Sequence, residues 1–310
     1  MKKTATALMA ACLFVACGSS QKQQTGDSTA VNTEKQAGED ASSRVIEGEN
    51  FKFDLDKGVL TYKGVNYEFA HVEAGEFTMG ATADMKDAAD NEKPAHKVTI
   101  TQDYYIGKTE VTWALWKAVM GSYPSDVEGQ GVEAKGSPHP ANWPVDNVSL
   151  EQCQAFASTL GSSFGELCEF RLPTEAEWEF AARGGNKSKH YIYSGSNTLG
   201  DVAWHSENTG SGPHKVGTKQ PNELGLYDMS GNVAEWCSDM WGKYSSKAQT
   251  DPRGPESGSD TYVLRGGNCF MEPANCSVTA RFMDSPDNDD NPFYGFRIVF
   301  KHYSQDDAEE

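Results

Sequence analysis

The stretch Phe170–Gly185, reading FRLPTEAEWEFAARGG, does most to limit what this chain can fold into. A strand-like entry reaches Pro173, and Thr174 follows as a helix N-cap. Glu177 stands three residues after Thr174, the spacing of a capping box in which each residue satisfies a backbone N–H of the other. Trp178, Ala181 and Ala182 then recur at helical spacing as an inward face. Gly184-Gly185 closes the segment, because glycine accepts the left-handed backbone that ends helices. A strand, a sharp turn and a short amphipathic helix are thereby predicted in sequence.

Two more helices can be read from their caps. Thr112 heads one, with Trp113, Trp116, Val119 and Met120 on one face and Gly121 as its stop. Ser149 heads another, with Gln152 completing a capping box and Leu150, Cys153, Ala157 and Leu160 at helical spacing up to Gly161. Before them, Phe51, Phe53 and Leu55 alternate, Val59–Tyr62 follows, and a Lys63-Gly64 turn leads into Val65-Asn66-Tyr67. That pattern predicts a small N-terminal hairpin. The rest is short apolar runs between Gly, Asn, Asp, Ser and Pro. With 30 glycines and seven tryptophans, it suits a loop-rich α+β domain pinned by aromatic anchors.

The N-terminus reads as a targeting segment. Lys2 and Lys3 precede an apolar stretch, Ala5–Val15, that is too short to span a bilayer. It runs into Leu13-Phe14-Val15-Ala16-Cys17, which resembles a lipobox whose cysteine is lipidated and becomes the first mature residue. The alternative is a plain signal peptide followed by an incidental cysteine. From Gly18 to about Arg44 there is no aromatic residue and no Leu, Ile or Phe. Such a segment buries too little apolar surface to offset its ordering entropy, so a flexible tether is expected. The organisation expected is a leader over 1–16, a lipidated tether over 17–49, the hairpin over 50–69, a main domain over 70–303 and an acidic tail over 304–310. Cys17 would attach the protein to a membrane of the cell envelope, the outer membrane being the expectation for a Gram-negative lipoprotein.

The formal charge of −18 argues against nucleic acid as a partner, since phosphate binding needs clustered Lys and Arg. Of seven cysteines, Cys153, Cys168, Cys237, Cys269 and Cys276 fall in the main domain. Five is odd, so at least one thiol stays free or pairs elsewhere, and the connectivity does not follow from sequence.

After Phe170–Gly185, three further segments follow in order: Leu224–Trp236 (LGLYDMSGNVAEW), Val263–Gly267 (VLRGG) and Tyr294–Arg297 (YGFR). Together they resemble the formylglycine-generating enzyme family, also called the sulfatase-modifying-factor domain, over about residues 70–303. The resemblance implies a C-type-lectin-like α+β fold, loop-rich, with short strands and about three helices. It also implies a calcium site in the Asp228–Trp236 loop, held by the Asp228 carboxylate and the carbonyls of Met229, Gly231 and Val233. Hard oxygen ligands on a glycine-bent loop suit that ion. The alternative is a metal-free loop whose carboxylate caps backbone N–H groups.

In the enzymes of that family, two cysteines four and nine residues after the second glycine bind copper(I), and a serine follows that glycine. A thiolate pair is what a soft d¹⁰ ion prefers. Here the corresponding residues are Met271, Cys276 and Asn268. Cys269 can substitute to form a catalytic pair with Cys276, spaced by seven residues, and the Met271 thioether is another soft ligand; the other reading makes Cys276, with or without Cys269, a buried or disulfide-bonded structural residue. Arg281 and Arg297 match family arginines and are expected to brace the core through backbone carbonyls. His205 and His214 flank a glycine-rich loop and are expected at the surface, and Asp284–Asn291 is expected to be a solvated acidic loop. The leading expectation is a non-catalytic binding or assembly module, taking an envelope protein or a glycan. The alternative is a copper-dependent oxidase that generates formylglycine, or performs a related oxidation.

Overall fold

Local caps start each long helix. The computed structural model describes residues 44–124, 140–165 and 168–302, so the leader, Cys17, most of the tether and the acidic tail lie outside the described residues. Helix α1 (Trp113–Met120) has the Thr112 side chain accepting from the Leu115 N–H, and Gly121 ends it at φ 77°. Helix α2 (Leu150–Ser162) starts with the Ser149/Gln152 capping box. It passes through Gly161, the expected stop, and ends at Ser163 instead. A Cβ at Gly161 would meet Phe170 at 3.9 Å, an ordinary contact distance, so this helical position would accommodate a side chain. Helix α3 (Glu175–Ala182) has the Thr174/Glu177 capping box, and a four-residue helix, α4, covers Leu199–Val202.

The expected hairpin is larger than the sequence suggested. Strands β1 (Val45–Gly48), β2 (Phe51–Asp54), β3 (Val59–Tyr62) and β4 (Val65–Val72) form one antiparallel meander. β4 runs across the expected boundary at residue 69/70 and pairs with β7 (Tyr104–Gly107). β7 pairs with β14 (Val299–His302), and β14 with β8 (Cys168–Arg171), completing a seven-stranded sheet. The alternation reported one hairpin because the strand that ties it to the sheet is distant in sequence. All described residues fall within one compact unit, 39–310.

Two smaller sheets complete the architecture. β5 (Gly75–Met79) and β6 (His96–Ile100) are antiparallel, and two-residue β10 (Gln249–Thr250) runs parallel to β6. In the second, β9 (Ala234–Met240) lies between β11 (Tyr262–Arg265) and β13 (Tyr294–Gly295), with β12 (Arg281–Asp284) outside β11. The main core packs α1 and α2 against the large sheet through Trp116, Phe156, Phe296, Phe53, Phe69 and Phe300. Each such side chain, fully buried, contributes about 1.5–3 kcal/mol of transfer free energy.

Helix α3 departs from an amphipathic helix, because all eight of its residues are buried, the three glutamates included. Each carboxylate is matched by arginine. Glu175 takes Nε (2.5 Å) and Nη2 (2.7 Å) of Arg281, and Glu177 takes both terminal nitrogens of Arg171 at 2.7 Å. Glu179 receives Arg265, Arg183 and the Gly80 N–H. Burial alone would raise the Glu179 pKa, but Arg183 and Arg265 outweigh it and hold the carboxyl below its usual range.

Candidate functional site

The Asp228–Trp236 loop is built around residues that only this backbone allows. Asp228 and Asn232 both take left-handed φ, 58° and 59°. Gly231 has φ 76°, and a Cβ there would stand 2.1 Å from the Trp204 carbonyl oxygen, so any side chain at 231 would push Trp204 away. The Gly217 N–H donates to Asp228 Oδ2 at 2.7 Å, and the His214 N–H donates to Asn232 Oδ1 at 2.8 Å. These bonds fasten the 203–219 segment over the loop.

Three buried carboxyl groups meet beneath it, with one guanidinium. Arg297 is committed to Glu235, Nε to Oε2 and Nη2 to Oε1, both at 2.6 Å. Its remaining donors reach the carbonyls of Gly107 and Tyr227, so the carbonyl bracing expected of Arg297 is present, but the carboxylate is its main partner. Arg281 differs in the same way: Glu175 takes it first, and the carbonyls of Asn91 and Gly242 take Nη1. Sequence spacing shows no partner for either arginine, because Glu175 and Glu235 lie on other elements.

Glu110 and Asp228 have no such counter-charge. Glu110 Oε1 accepts from Asn232 Nδ2 at 2.9 Å, yet Glu110 Oε2 and Asp228 Oδ1 are buried without a hydrogen-bond partner. Burial, and then Asp228 itself, push the Glu110 carboxyl well above its usual range. Burial pushes Asp228 up to about 6. Such a pair is relieved either by one proton held between the two carboxyls, since Asp228 and Glu110 lie within hydrogen-bonding reach of each other, or by an oxygen-ligated cation. Among the described residues no cluster of three or more His, Cys, Asp or Glu is arranged to hold a metal. A cation at this point therefore has to draw on backbone carbonyls as well as these two carboxylates. Sequence reasoning named Asp228 and missed Glu110, an acid set between strand β7 and the cap of α1.

The second candidate segment is the loop from Asn268 to Cys276. Cys269 and Cys276 are fully buried, and all five cysteines of the described residues are free thiols. Cys276 packs with Leu199, Val202 and Ala203, and Met271 lies against the same cluster. The Cys276 thiol sits 3.9 Å from the Asn268 carbonyl. Burial pushes the Cys276 thiol up to about 12, with Cys269 adding to the effect, and pushes Cys269 up to about 11. A thiolate pair is therefore disfavoured here, since the thiolate is the form that binds metal and reacts. Copper(I) does not fit these residues as they stand: one family position holds a thioether and the other a desolvated thiol.

Segment 203–219 corrects an expectation. His205 is 4% exposed and not a surface residue. His214 is half-buried and stacks on Trp204, with ring centroids 3.7 Å apart at 12°, and the Lys219 ammonium lies 4.1 Å from the centroid of the same indole. The glycines of this loop suggested exposure; the flanking Trp204 roofs it. The acidic run around Asp284 is largely self-bonded, with Asp284 accepting from Ser285, Asn288 and Tyr294.

Comparison with known proteins agrees with this arrangement. A family model described as the sulfatase-modifying factor enzyme 1-like domain matches residues 62–302. The chain is 30% identical over 248 residues to a protein named chaperone protein LppX of Paenibacillus barcinonensis, covering 64% of this chain and 80% of that one. It is 30% identical over 285 residues to the formylglycine-generating enzyme of Streptomyces coelicolor, covering 73% of this chain and 86% of the enzyme. Among solved structures, Treponema denticola variable protein 1 superposes with a TM-score of 0.66 at 32% identity, over 78% of this chain and 97% of that one. The mixed sheets, the few helices and the residues at the segment positions agree with these matches, and the chain belongs to the sulfatase-modifying-factor family.

Proposed function

We propose that this protein is a non-catalytic member of its family, a lipid-anchored binding or assembly module of the cell envelope whose partner is an envelope protein or a glycan. The observation that carries the reading is the Asn268–Cys276 loop. Met271 occupies the first thiol position, and the thiols of Cys269 and Cys276 are desolvated and bear pKa values near 11 and 12. An oxidase of this family needs a thiolate pair, and burial opposes forming one. The lipobox-like run ending at Cys17 supports an anchor, and a relative named as a chaperone supports a role in assembling other proteins. Among the described residues no helix is long and apolar enough to cross a membrane, so attachment in this reading rests on Cys17.

Calcium belongs to the same proposal. The Asp228 carboxylate, with the carbonyls of Met229, Gly231 and Val233, would hold the ion, and Glu110 would add its unsatisfied oxygen. The ion would supply structure, neutralising two buried carboxylates and fixing the loop under Trp204. Thiol titration of the native protein tests the non-catalytic reading. Cys269 and Cys276 should resist a neutral-pH thiol reagent until the chain unfolds; rapid native labelling of either would favour the oxidase alternative.

A further inference from the structure

We propose that the cavity between the N-terminus of α3 and the 242–255 loop binds a small monocarboxylate with an apolar body. The cavity encloses about 530 Å³, a size suited to a small molecule. Its floor is the Arg281 guanidinium, clamped by Glu175 and lying 3.8 Å from the Tyr244 ring centroid and 4.3 Å from that of Trp241. Met79, Met240, Pro252 and Pro255 supply apolar wall, and Lys243 and Arg253 line the cavity with exposed side chains.

Charge points to the ligand. The chain carries −18 overall, with acids in large excess. Six of its seven arginines bind carboxylates: Arg44, Arg171, Arg183, Arg265, Arg281 and Arg297. Arg253 is the seventh and has no carboxylate partner among the described residues, and Lys243 beside the same cavity has none either. The lining sets three cations, Lys243, Arg253 and Arg281, against two carboxyl groups, Glu175 and Asp239, an excess of one positive charge. Three other cavities, around Phe77, Glu169 and Tyr105, have neutral or negative linings; Arg253 also borders the one around Glu169, where four carboxyl groups outnumber three cations.

A single excess charge matches a carboxylate better than a dianion, which would also face Glu175 and Asp239. A guanidinium fork receives a carboxylate through two parallel N–H···O bonds. The methionines, prolines and Tyr244 then meet the apolar part of the ligand. Asp239 stays clear of the anion because it is turned to the helix: its Oδ2 accepts the Glu175 N–H at 3.0 Å and the Ser238 hydroxyl at 3.1 Å.

Benzoate is a suitable probe, with benzyl alcohol as its uncharged counterpart and inorganic phosphate as an anion without an apolar body. With methyl-labelled methionine in the full mature chain, benzoate should shift the Met79 and Met240 signals saturably. Arg253→Gln should weaken that binding about tenfold, roughly 1.4 kcal/mol, and Lys243→Gln should weaken it too. Both side chains are exposed, so both variants should melt like the parent, and Lys215→Gln should leave binding unchanged. Failure of benzoate to shift either methyl, equal affinity in Arg253→Gln, or binding of benzyl alcohol or phosphate as tight as benzoate would each overturn the assignment.

Discussion

Arg297 and Glu235 form a fully buried two-bond ion pair, and the Trp178 indole N–H donates to the same Glu235 Oε2 at 2.7 Å. One carboxylate thereby joins β9, the segment leading into β14 and helix α3. Removing one partner leaves an uncompensated charge in the core. Arg297→Met should cost about 3–5 kcal/mol of unfolding free energy, measured by urea titration. The double change with Glu235→Leu should cost less than the two single changes summed, because neither charge is then stranded.

Calcium should stabilise the folded chain through Asp228 and Glu110. Thermal melts with excess calcium and with chelator should differ by several degrees, as expected for an ion that binds only the folded state. In Asp228→Asn that difference should vanish, and the variant should not be less stable than the parent in chelator, because it removes a buried carboxyl with an unsatisfied oxygen. An equal calcium response in parent and variant would exclude Asp228 as a ligand.

Gly231→Ala combines two costs: φ of 76° and a Cβ 2.1 Å from the Trp204 carbonyl oxygen. The change should destabilise by about 2–4 kcal/mol, the sum of a strained backbone and overpacking. It should also loosen the 203–219 segment, read as faster amide exchange at Asn232, whose N–H donates to Trp204.

Stability should fall as pH rises from about 4 to about 7, and Asp239 accounts for part of that fall. Burial, with Glu175 adding to it, pushes the folded Asp239 pKa up to about 7, against 3.8 for the free side chain. A raised carboxyl binds its proton more tightly in the folded state. Its contribution is therefore complete below the unfolded pKa and lost as pH rises from about 4 to about 7. Melts in chelator should show Asp239→Asn flattening this slope between about pH 4 and 7; an unchanged slope would remove Asp239 as its source.

The parts of the fold that could be read from sequence are those whose physics is local. Thr112, Ser149 and Thr174 each cap the helix that follows, because a cap depends on residues within one turn. What the sequence hid depends on partners far along the chain. Glu177 was legible as the capping-box partner of Thr174, but nothing local shows that Glu175, Glu177 and Glu179 are buried, because Arg281, Arg171 and Arg265 reach them from other elements. Asp228 was named through the family resemblance of its loop, whereas Glu110 becomes significant only where β7 delivers it beside Asp228. Cys269 and Cys276 could be located, but the desolvation of Cys276 depends on Leu199, Val202 and Ala203, which no spacing links to it.

The most direct measurement offers the mature protein a cysteine-containing sulfatase-motif peptide, copper(I), oxygen and a reductant, and reads aldehyde by mass, with an active family enzyme as control. No aldehyde above background is the result this account predicts. Aldehyde that disappears with Cys276→Ala would contradict it and establish an oxidase that works with methionine at position 271.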